Sequence, residues 1–289
     1  MTDIRTVWDG QAALGEGPVW DASRDCLWFV DIKRQHVYRL TEGQPAERWD
    51  APAQIGWVLP AADGTLLAGL QTGVARFDPA SGRFDHLHDP EPDFPGNRLN
   101  DATVGPDGTV WFGTMDDGES HLSGRVHRFD GGVVTTTDIP AVCITNGPGI
   151  APDGRTLYHV DTIGGIIHAV PIAADGSTGT PRDFARIDPA HGNPDGVSVD
   201  AAGNVWVGLW GGFCARRYAP DGTLSLEVAL PAANITKVAL GGPDLMTAYA
   251  TSASIGLTDE ARAAQPQAGN VFAFRVDVPG QRQVFARLA

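Results

Sequence analysis

Short apolar runs recur along the whole chain, and within each run apolar and polar positions alternate with a period of two. This period is typical of half-buried β-strands. Each run follows a turn that contains Asp or Gly. Taking Asp25, Gly64, Gly108, Gly154, Gly203 and Asp244 as markers, the steps are 39, 44, 46, 49 and 41 residues. A repeat of about 40 to 50 residues is the period of a four-stranded propeller blade.

A second set of alternating segments follows the first in phase. It comprises residues 37–40, 74–77, 126–129, 167–170, 214–218 and 271–274. Most of these are followed by a turn and a further strand, so they predict the third and fourth strands of the same blades. We therefore predict an all-β fold, a six-bladed β-propeller of four-stranded blades around a central channel, with one domain over residues 1–289.

Two kinds of segment depart from the strand pattern. Residues 258–264 predict a short helix, because Thr258 is a good N-cap and acidic residues follow it. Residues 89–96, 116–124 and 252–269 are long connections between strands. We expect these connections to cover one end of the channel.

The charge balance excludes several classes of partner. The chain has 35 acidic and 21 basic residues, a formal net charge of −14, which disfavours nucleic acid and anionic membrane surfaces. It has neither an apolar stretch of membrane-spanning length nor an apolar run at its start. We expect a cytoplasmic monomer in which Cys26, Cys143 and Cys214 are reduced core residues.

The innermost strand of a blade runs along the channel, so one repeat position is displayed six times around it. Counting back eleven or twelve residues from the apolar centre of each repeat gives Glu16, Gly56, Asn100, Asn146, Asp195 and Lys237. A polar residue at the start of a buried strand needs an explanation, because an unpartnered buried charge costs several kcal/mol.

Glu16, Asn146 and Asp195 share a further feature, since each precedes a glycine. Two carboxylates that converge with an amide oxygen would bind a hard cation. The alternative is a buried hydrogen-bond network that holds the blades together. The ligand types suit calcium, magnesium or manganese, and zinc or ferrous iron also accept such sites, so one divalent ion is predicted without its identity.

Several motifs together carry a resemblance to a known family. They are LGEGPVW at 14–20, NRLND at 97–101, WFGTM at 111–115, ITNGP at 144–148, PDG at 194–196, GGPDL at 241–245 and QPQAG at 265–269. With these motifs the chain resembles regucalcin (senescence marker protein), gluconolactonase and luciferin-regenerating enzyme, and within that family the bacterial aldonolactonases such as xylonolactonase and arabinonolactonase. The resemblance implies a metal-dependent hydrolase that opens a pentono- or hexonolactone to the aldonic acid in sugar catabolism.

The resemblance also implies roles for individual residues. Glu16, Asn146 and Asp195 would hold the metal, and Asp195 would also act as the base. Arg98 and Asn100 match positions that contact sugar hydroxyls. For Arg98 the alternative is a surface ion pair with the nearby acidic loop.

Two further candidate substrate contacts are less closely matched. Animal members of the family carry a substrate-contacting Glu after the Gly-Thr-Met motif, and counting places Gly118 there, one residue before Glu119. This departure suggests altered sugar selectivity. Lys237 would support the oxyanion or the carboxylate product, or would instead only neutralise the acidic ring.

Two other functions remain open from the residues alone. One is a non-enzymatic calcium-binding propeller. The other is a paraoxonase-like esterase, although Arg98 and Asn100 favour a polyhydroxylated substrate over an apolar one.

Overall fold

The computed structural model describes residues 3–288, and nearly all regular structure in them is β-strand. The strands are β1 (Arg5–Trp8), β2 (Gly15–Asp21), β3 (Cys26–Asp31), β4 (His36–Thr41), β5 (Glu47–Asp50), β6 (Ile55–Pro60), β7 (Leu66–Leu70), β8 (Gly73–Asp78), β9 (Arg83–His88), β10 (Asn97–Val104), β11 (Val110–Asp116), β12 (Val126–Asp130), β13 (Val133–Thr136), β14 (Thr145–Ile150), β15 (Thr156–Asp161), β16 (Ile166–Pro171), β17 (Arg182–Arg186), β18 (Asn193–Val199), β19 (Val205–Trp210), β20 (Cys214–Tyr218), β21 (Leu224–Ala229), β22 (Asn234–Gly241), β23 (Thr247–Ala253) and β24 (Val271–Arg275).

These strands form six antiparallel sheets of four, which confirms the predicted six-bladed propeller. Blades I to V are β2–β5, β6–β9, β10–β13, β14–β17 and β18–β21, and in each the first strand is innermost. Blade VI has the order β22-β23-β24-β1. The N-terminal strand is therefore the outermost strand of the last blade, with Arg5 opposite Ala273. This pairing joins the two ends of the chain in one sheet and closes the ring.

The hydrophobic core is divided among the interfaces between successive blades. Trp28 of blade I and Phe77 of blade II belong to one apolar cluster, and Trp206 of blade V packs with Phe272 of blade VI in another. Equivalent clusters fill the other four interfaces. Because neighbouring blades cover both faces of the inner strands, strands such as β3 are apolar almost throughout rather than alternating.

The cysteines are buried and unpaired, as predicted. Burial is the main reason why the pKa of the Cys26 thiol is raised to about 12. A thiol with so high a pKa is chemically inert at neutral pH.

The two ends of the channel are covered differently. At the upper end, where the innermost strands begin, a short helix α1 (Asp259–Ala264) starts at the predicted cap, and the Thr258 side chain accepts a hydrogen bond from the Ala261 N–H. At the lower end the C-terminal segment 280–288 crosses the opening. Gly280 bridges to Asp200, and Ala286 bridges to Ala61. Within residues 3–288 no helix has the length and apolarity needed to span a membrane.

Candidate metal and substrate site

A β-bulge interrupts the innermost strand of every blade near its upper end. The register breaks lie between Glu16 and Val19, Ile55 and Trp57, Leu99 and Ala102, Asn146 and Gly149, Pro194 and Val197, and Ile235 and Val238. A bulge leaves residues unpaired and redirects their side chains. Six bulges at one height therefore turn side chains into the channel.

Glycine is required at some of these bulges. Gly17 and Gly147 have φ values of 55° and 70°, in the left-handed region. A Cβ on Gly17 would lie 2.8 Å from the Gly56 carbonyl oxygen of the next blade. The pairing of an oxygen donor with a following glycine, noted in the sequence, thus reflects both backbone conformation and crowding at the axis.

The cross-strand register identifies which residue occupies each ring position. Asp195 lies three residues before Ser198, the partner of Trp206, which is the apolar centre of its repeat. The same spacing holds for Glu16, Gly56, Asn100 and Asn146, counted from the partners of the apolar centres Trp28, Leu67, Trp111 and Tyr158. In blade VI the apolar centre Tyr249 pairs with Ala239, so the equivalent residue is Thr236. Lys237 is one residue further along. By this count the predicted residue keeps its position in five blades, whereas in the sixth Thr236 takes the position predicted for Lys237.

The three predicted metal ligands come together at the upper level of the channel. Glu16, Asn146 and Asp195 are each at most 6% exposed and line one cavity of about 320 Å³. Arg98 and Asn100 line the same cavity. The Gly17 N–H donates to Glu16 Oε2 over 2.7 Å. Thus five of the residues predicted from the sequence share a single cavity.

The two acids of this level have no cationic partner of their own. Burial is the largest cause that raises the pKa of Glu16, to about 8, and the charge of Asp101 adds to it. Burial and then the charge of Glu16 raise the pKa of Asp195 well above its usual range. In the described part of the chain neither carboxylate makes a salt bridge, and no third acid, histidine or cysteine joins them as a ligand.

This donor set fits a divalent ion. A bound cation offsets the repulsion between two buried carboxylates, and an amide oxygen completes a site of hard ligands. The Asn146 side chain is suitably placed, because its Oδ1 accepts from Asn100 Nδ2 over 2.8 Å while its Nδ2 donates to Thr162 Oγ1 over 3.0 Å. Its oxygen therefore keeps a second lone pair.

The residues that directly follow the ring positions form a second, lower level of the channel. Lys237 Nζ donates to Asp101 Oδ1 over 2.6 Å and to the Ala102 carbonyl oxygen over 3.2 Å. Lys237 lines a separate lower cavity of about 180 Å³, between the inner strands and the C-terminal segment. The structure does not bring Lys237 into the cavity with the other candidates. Its contacts match the charge-neutralising alternative, with Asp101 as the acid it neutralises.

The Arg98 side chain forms the predicted ion pair with the acidic loop, but inside the protein and not on its surface. Arg98 is 4% exposed, and its Nε donates to Asp117 Oδ1 over 2.8 Å. Its Nη1 donates to Asn100 Oδ1 over 2.6 Å. Within residues 3–288, Nη2 has no hydrogen-bond partner, which leaves it for a ligand in the cavity.

The remaining cavity wall contains one predicted residue and several that sequence reasoning missed. Glu119 is exposed and lines the rim, where its backbone has a φ of 53°. Lys33, Trp210, Ile163 and Ile255 also line the cavity. They lie in loops or at strand ends, where no repeat position marks them. Asp101 could have been predicted, because it follows the ring residue Asn100 in blade III just as Lys237 follows Thr236 in the opposite blade.

Comparisons with known proteins agree with this geometry. The family described as SMP-30/Gluconolactonase/LRE-like region matches residues 14–254. L-arabinolactonase of Azospirillum brasilense is 34% identical over 91% of this chain and 89% of its own length. The 6-deoxy-6-sulfogluconolactonase of Pseudomonas putida is 32% identical over 93% of each chain. The crystal structure of a calcium-binding protein, regucalcin from Agrobacterium tumefaciens, superposes with a TM-score of 0.95 at 29% identity, covering 99% of this chain and 98% of that one.

Proposed function

Because the chain belongs to the SMP-30/gluconolactonase/LRE-like family, we propose that it hydrolyses the lactone of a sugar acid with one divalent metal ion. A pentono- or hexonolactone is the proposed substrate, and a relative that acts as an L-arabinolactonase supports the choice. One observation carries the proposal. Glu16 and Asp195, two buried carboxylates that make no salt bridge in the described residues, line one cavity with the amide of Asn146 and a buried arginine.

The roles of the chain's own residues follow from this arrangement. Glu16, Asn146 and Asp195 would hold the ion, which when bound supplies a Lewis acid that polarises the lactone carbonyl. Asp195 would accept a proton from the attacking water and return it to the ring oxygen as the ester bond breaks. Arg98 would bind substrate oxygens through its free Nη2.

The enclosure of the site suits this chemistry. The proposed ligands are almost fully buried, and below them the Asp101–Lys237 pair and the C-terminal segment separate the cavity from the lower end of the channel. Interactions with developing charge are stronger in such a site than in water. Substrate would enter from the upper end, past Glu119 and Ile255.

The proposal is tested with metal-stripped protein and a panel of pentono- and hexonolactones, with acid release measured above the spontaneous rate. Each divalent ion is then added back in turn. We expect one ion to restore acceleration on one lactone. Protein shown to be folded that accelerates no lactone with any ion would contradict the proposal.

A second candidate is a calcium-binding protein without catalysis. The observation that favours it is the regucalcin neighbour described as calcium-binding. It predicts tight Ca²⁺ binding together with no turnover in the same panel. Including aryl esters in that panel also tests the esterase alternative, for which the free Nη2 of Arg98 would lack a partner.

A further inference from the structure

Asp117 is the point where three side chains from three blades meet. Lys33 Nζ of blade I donates to its Oδ1 over 2.7 Å, and Arg98 Nε of blade III donates to the same oxygen over 2.8 Å. Gln54 Nε2, which precedes blade II, donates to Oδ2 over 2.9 Å. Burial acts to raise the pKa of Asp117, but the bonds from Gln54 and Lys33 and the charge of Arg98 lower it to about 2. Asp117 is thus an ionised acceptor with all its partners in place.

This acceptor fixes the orientation of the Arg98 guanidinium. An arginine side chain has donors only, in a rigid planar fork. With Nε held by Asp117, Nη1 points at Asn100 and donates to Asn100 Oδ1 over 2.6 Å. The oxygen of the Asn100 amide therefore faces Arg98, and its nitrogen faces the other way.

The orientation of the Asn100 amide in turn fixes which atom of Asn146, the proposed metal ligand, lies opposite it. Its Nδ2 donates both to the Thr145 carbonyl oxygen, over 2.7 Å, and to Asn146 Oδ1, over 2.8 Å. Both of its amide hydrogens and its oxygen thus have protein partners. The partner of Asn100 Nδ2 must be an acceptor, which requires the Asn146 oxygen, and not its nitrogen, at this position.

We propose that Asp117, Arg98 and Asn100 form a chain of fixed hydrogen-bond polarity that orients the amide of Asn146 so that its oxygen is available to the metal ion. This polarity chain rests on the proposed function for the identity of Asn146 as a ligand. It makes Asn100 and Asp117 positioning residues that act through Asn146. The two orientations of an amide differ greatly for a cation, because the oxygen is a ligand whereas the NH₂ group repels it.

The loop that carries Asp117 does not depend on Asp117 for its shape. The neighbouring Asp116 accepts hydrogen bonds from the backbone N–H groups of Gly118, Ser120 and His121. Substitutions at Asp117 therefore remove its contacts to Arg98, Lys33 and Gln54 while the turn remains held. This separation makes the polarity chain testable.

The experiment measures Mn²⁺ affinity of the full-length, metal-stripped protein by calorimetry, without substrate. In Asn100→Leu, which is similar in size but has no polar atoms, we expect the Mn²⁺ Kd to rise about tenfold, a typical effect of losing an outer-shell partner. In Asp117→Leu we expect a smaller rise, and in Asp117→Asn, which keeps an acceptor for Arg98, a smaller one still. Asp93→Asn is the matched control, because Asp93 is an exposed acid without a side-chain hydrogen bond in the described residues, and we expect it to match wild type.

A double-mutant cycle adds a second readout. Asp117→Leu should weaken Mn²⁺ binding in the wild-type background but have little effect once Asn100→Leu is present, because the chain is already broken. Equal losses in both backgrounds, or an Asn100→Leu protein that binds Mn²⁺ within twofold of wild type, would overturn the proposal. The second result would mean that Asn100 serves substrate alone and changes only KM.

These outcomes are distinguishable from failure of the proposed function. Wild-type protein that binds Mn²⁺ but hydrolyses no lactone would refute the lactonase and leave the polarity chain to be decided by the variants. Wild-type protein that binds no divalent ion would overturn both. If Asp117→Leu does not fold, Asn100→Leu and Asp117→Asn still give the required comparison.

Discussion

Two adjacent levels of the same channel deal with buried acids in opposite ways. At the lower level Asp101 is held by Lys237, with 2.6 Å between Nζ and Oδ1, so the charge is neutralised within the chain. At the upper level Glu16 and Asp195, whose pKa values are raised chiefly by burial as is that of Asp101, make no salt bridge in the described residues. Burying a charge is costly without a partner. The comparison indicates that the lower pair serves the fold, whereas the upper pair is the one we propose to hold an ion from outside.

The positions of these residues around the ring explain which of them meet. Asp101 is in blade III and Lys237 in blade VI, so they face each other across the axis. Glu16 and Asn146 likewise come from opposite blades, I and IV. Opposite blades of a six-bladed ring can thus place two side chains within contact across a narrow channel. Three predictions test whether the two levels differ in this way, and a fourth concerns a buried histidine outside the channel.

The largest effect is expected from Asp195→Asn at the upper level. The change removes both the proposed base and one negative charge of the cation site, so kcat for the preferred lactone should fall at least about a thousandfold. The measurement is metal-restored acid release, with thermal unfolding to show that the variant is folded. A folded Asp195→Asn protein with wild-type turnover would remove Asp195 from the mechanism.

The Lys237→Met variant removes the cation of the lower level. This variant leaves Asp101 buried without its cation, and we expect a loss of about 3–5 kcal/mol in the free energy of unfolding. Urea unfolding measures the loss. The control is the double variant Asp101→Asn with Lys237→Met, which should recover much of the stability because no charge remains unpaired. If the double variant is as unstable as Lys237→Met alone, the ion pair is not the source of the effect.

Removal of the metal ion should reduce stability through the upper level alone. An ion at a hundred times its Kd should stabilise the folded protein by about 2.7 kcal/mol, seen as a higher unfolding temperature than that of metal-stripped protein. Glu16→Gln should lose this stabilisation, whereas the double variant of the lower level should keep it. Retention of the full metal effect in Glu16→Gln would show that the ion binds elsewhere.

The smallest effect, counted per pH unit, concerns acid sensitivity outside the channel. His159 is buried between blades III and IV and its Nε2 has no partner in the described residues; burial first, then the charge of His168, lower its pKa from 6.5 to about 3. Because the folded state keeps this imidazole neutral, its contribution to stability is present above about pH 6.5 and is lost as pH falls toward 3. We expect a slope of about 1.4 kcal/mol per pH unit in this window.

The His159→Gln variant tests whether this dependence of stability on pH comes from His159. It should flatten the acid limb of stability against pH, measured by urea unfolding at a series of pH values. An unchanged slope in His159→Gln would assign the acid sensitivity to other groups.

Much of the fold was predictable because each repeat can be recognised from a local pattern of strand and turn residues. The period of the strand pattern predicted six blades of four strands, and Thr258 marked the start of the α-helix Asp259–Ala264. The pairing of β1 with β24 was not predicted, since nothing in the four residues of β1 specifies a partner some 260 positions away. Among the ring positions the error at Lys237 arose because a count along the chain cannot show which residues a bulge leaves unpaired.

The candidate site was likewise predictable only in part. Glu16, Asn146 and Asp195 were found because repetition fixes their height and the following glycine marks the bulge, and Arg98 because its motif matches a family. The sequence did not point to Asp117 or Thr162, and the contacts of Asn100 and Lys237 lead us to propose other roles for them. These roles depend on which side chains from distant blades reach each other.

The sequence by itself determined the propeller, the number of blades and the residues that point toward the axis, because strand periodicity and turn chemistry are local properties that repetition amplifies. Only the tertiary structure decided which buried acid has a cation and which does not. A hydrogen bond or an ion pair across the channel depends on a distance of about 3 Å between atoms far apart in the chain. That distance exists only once the ring is closed.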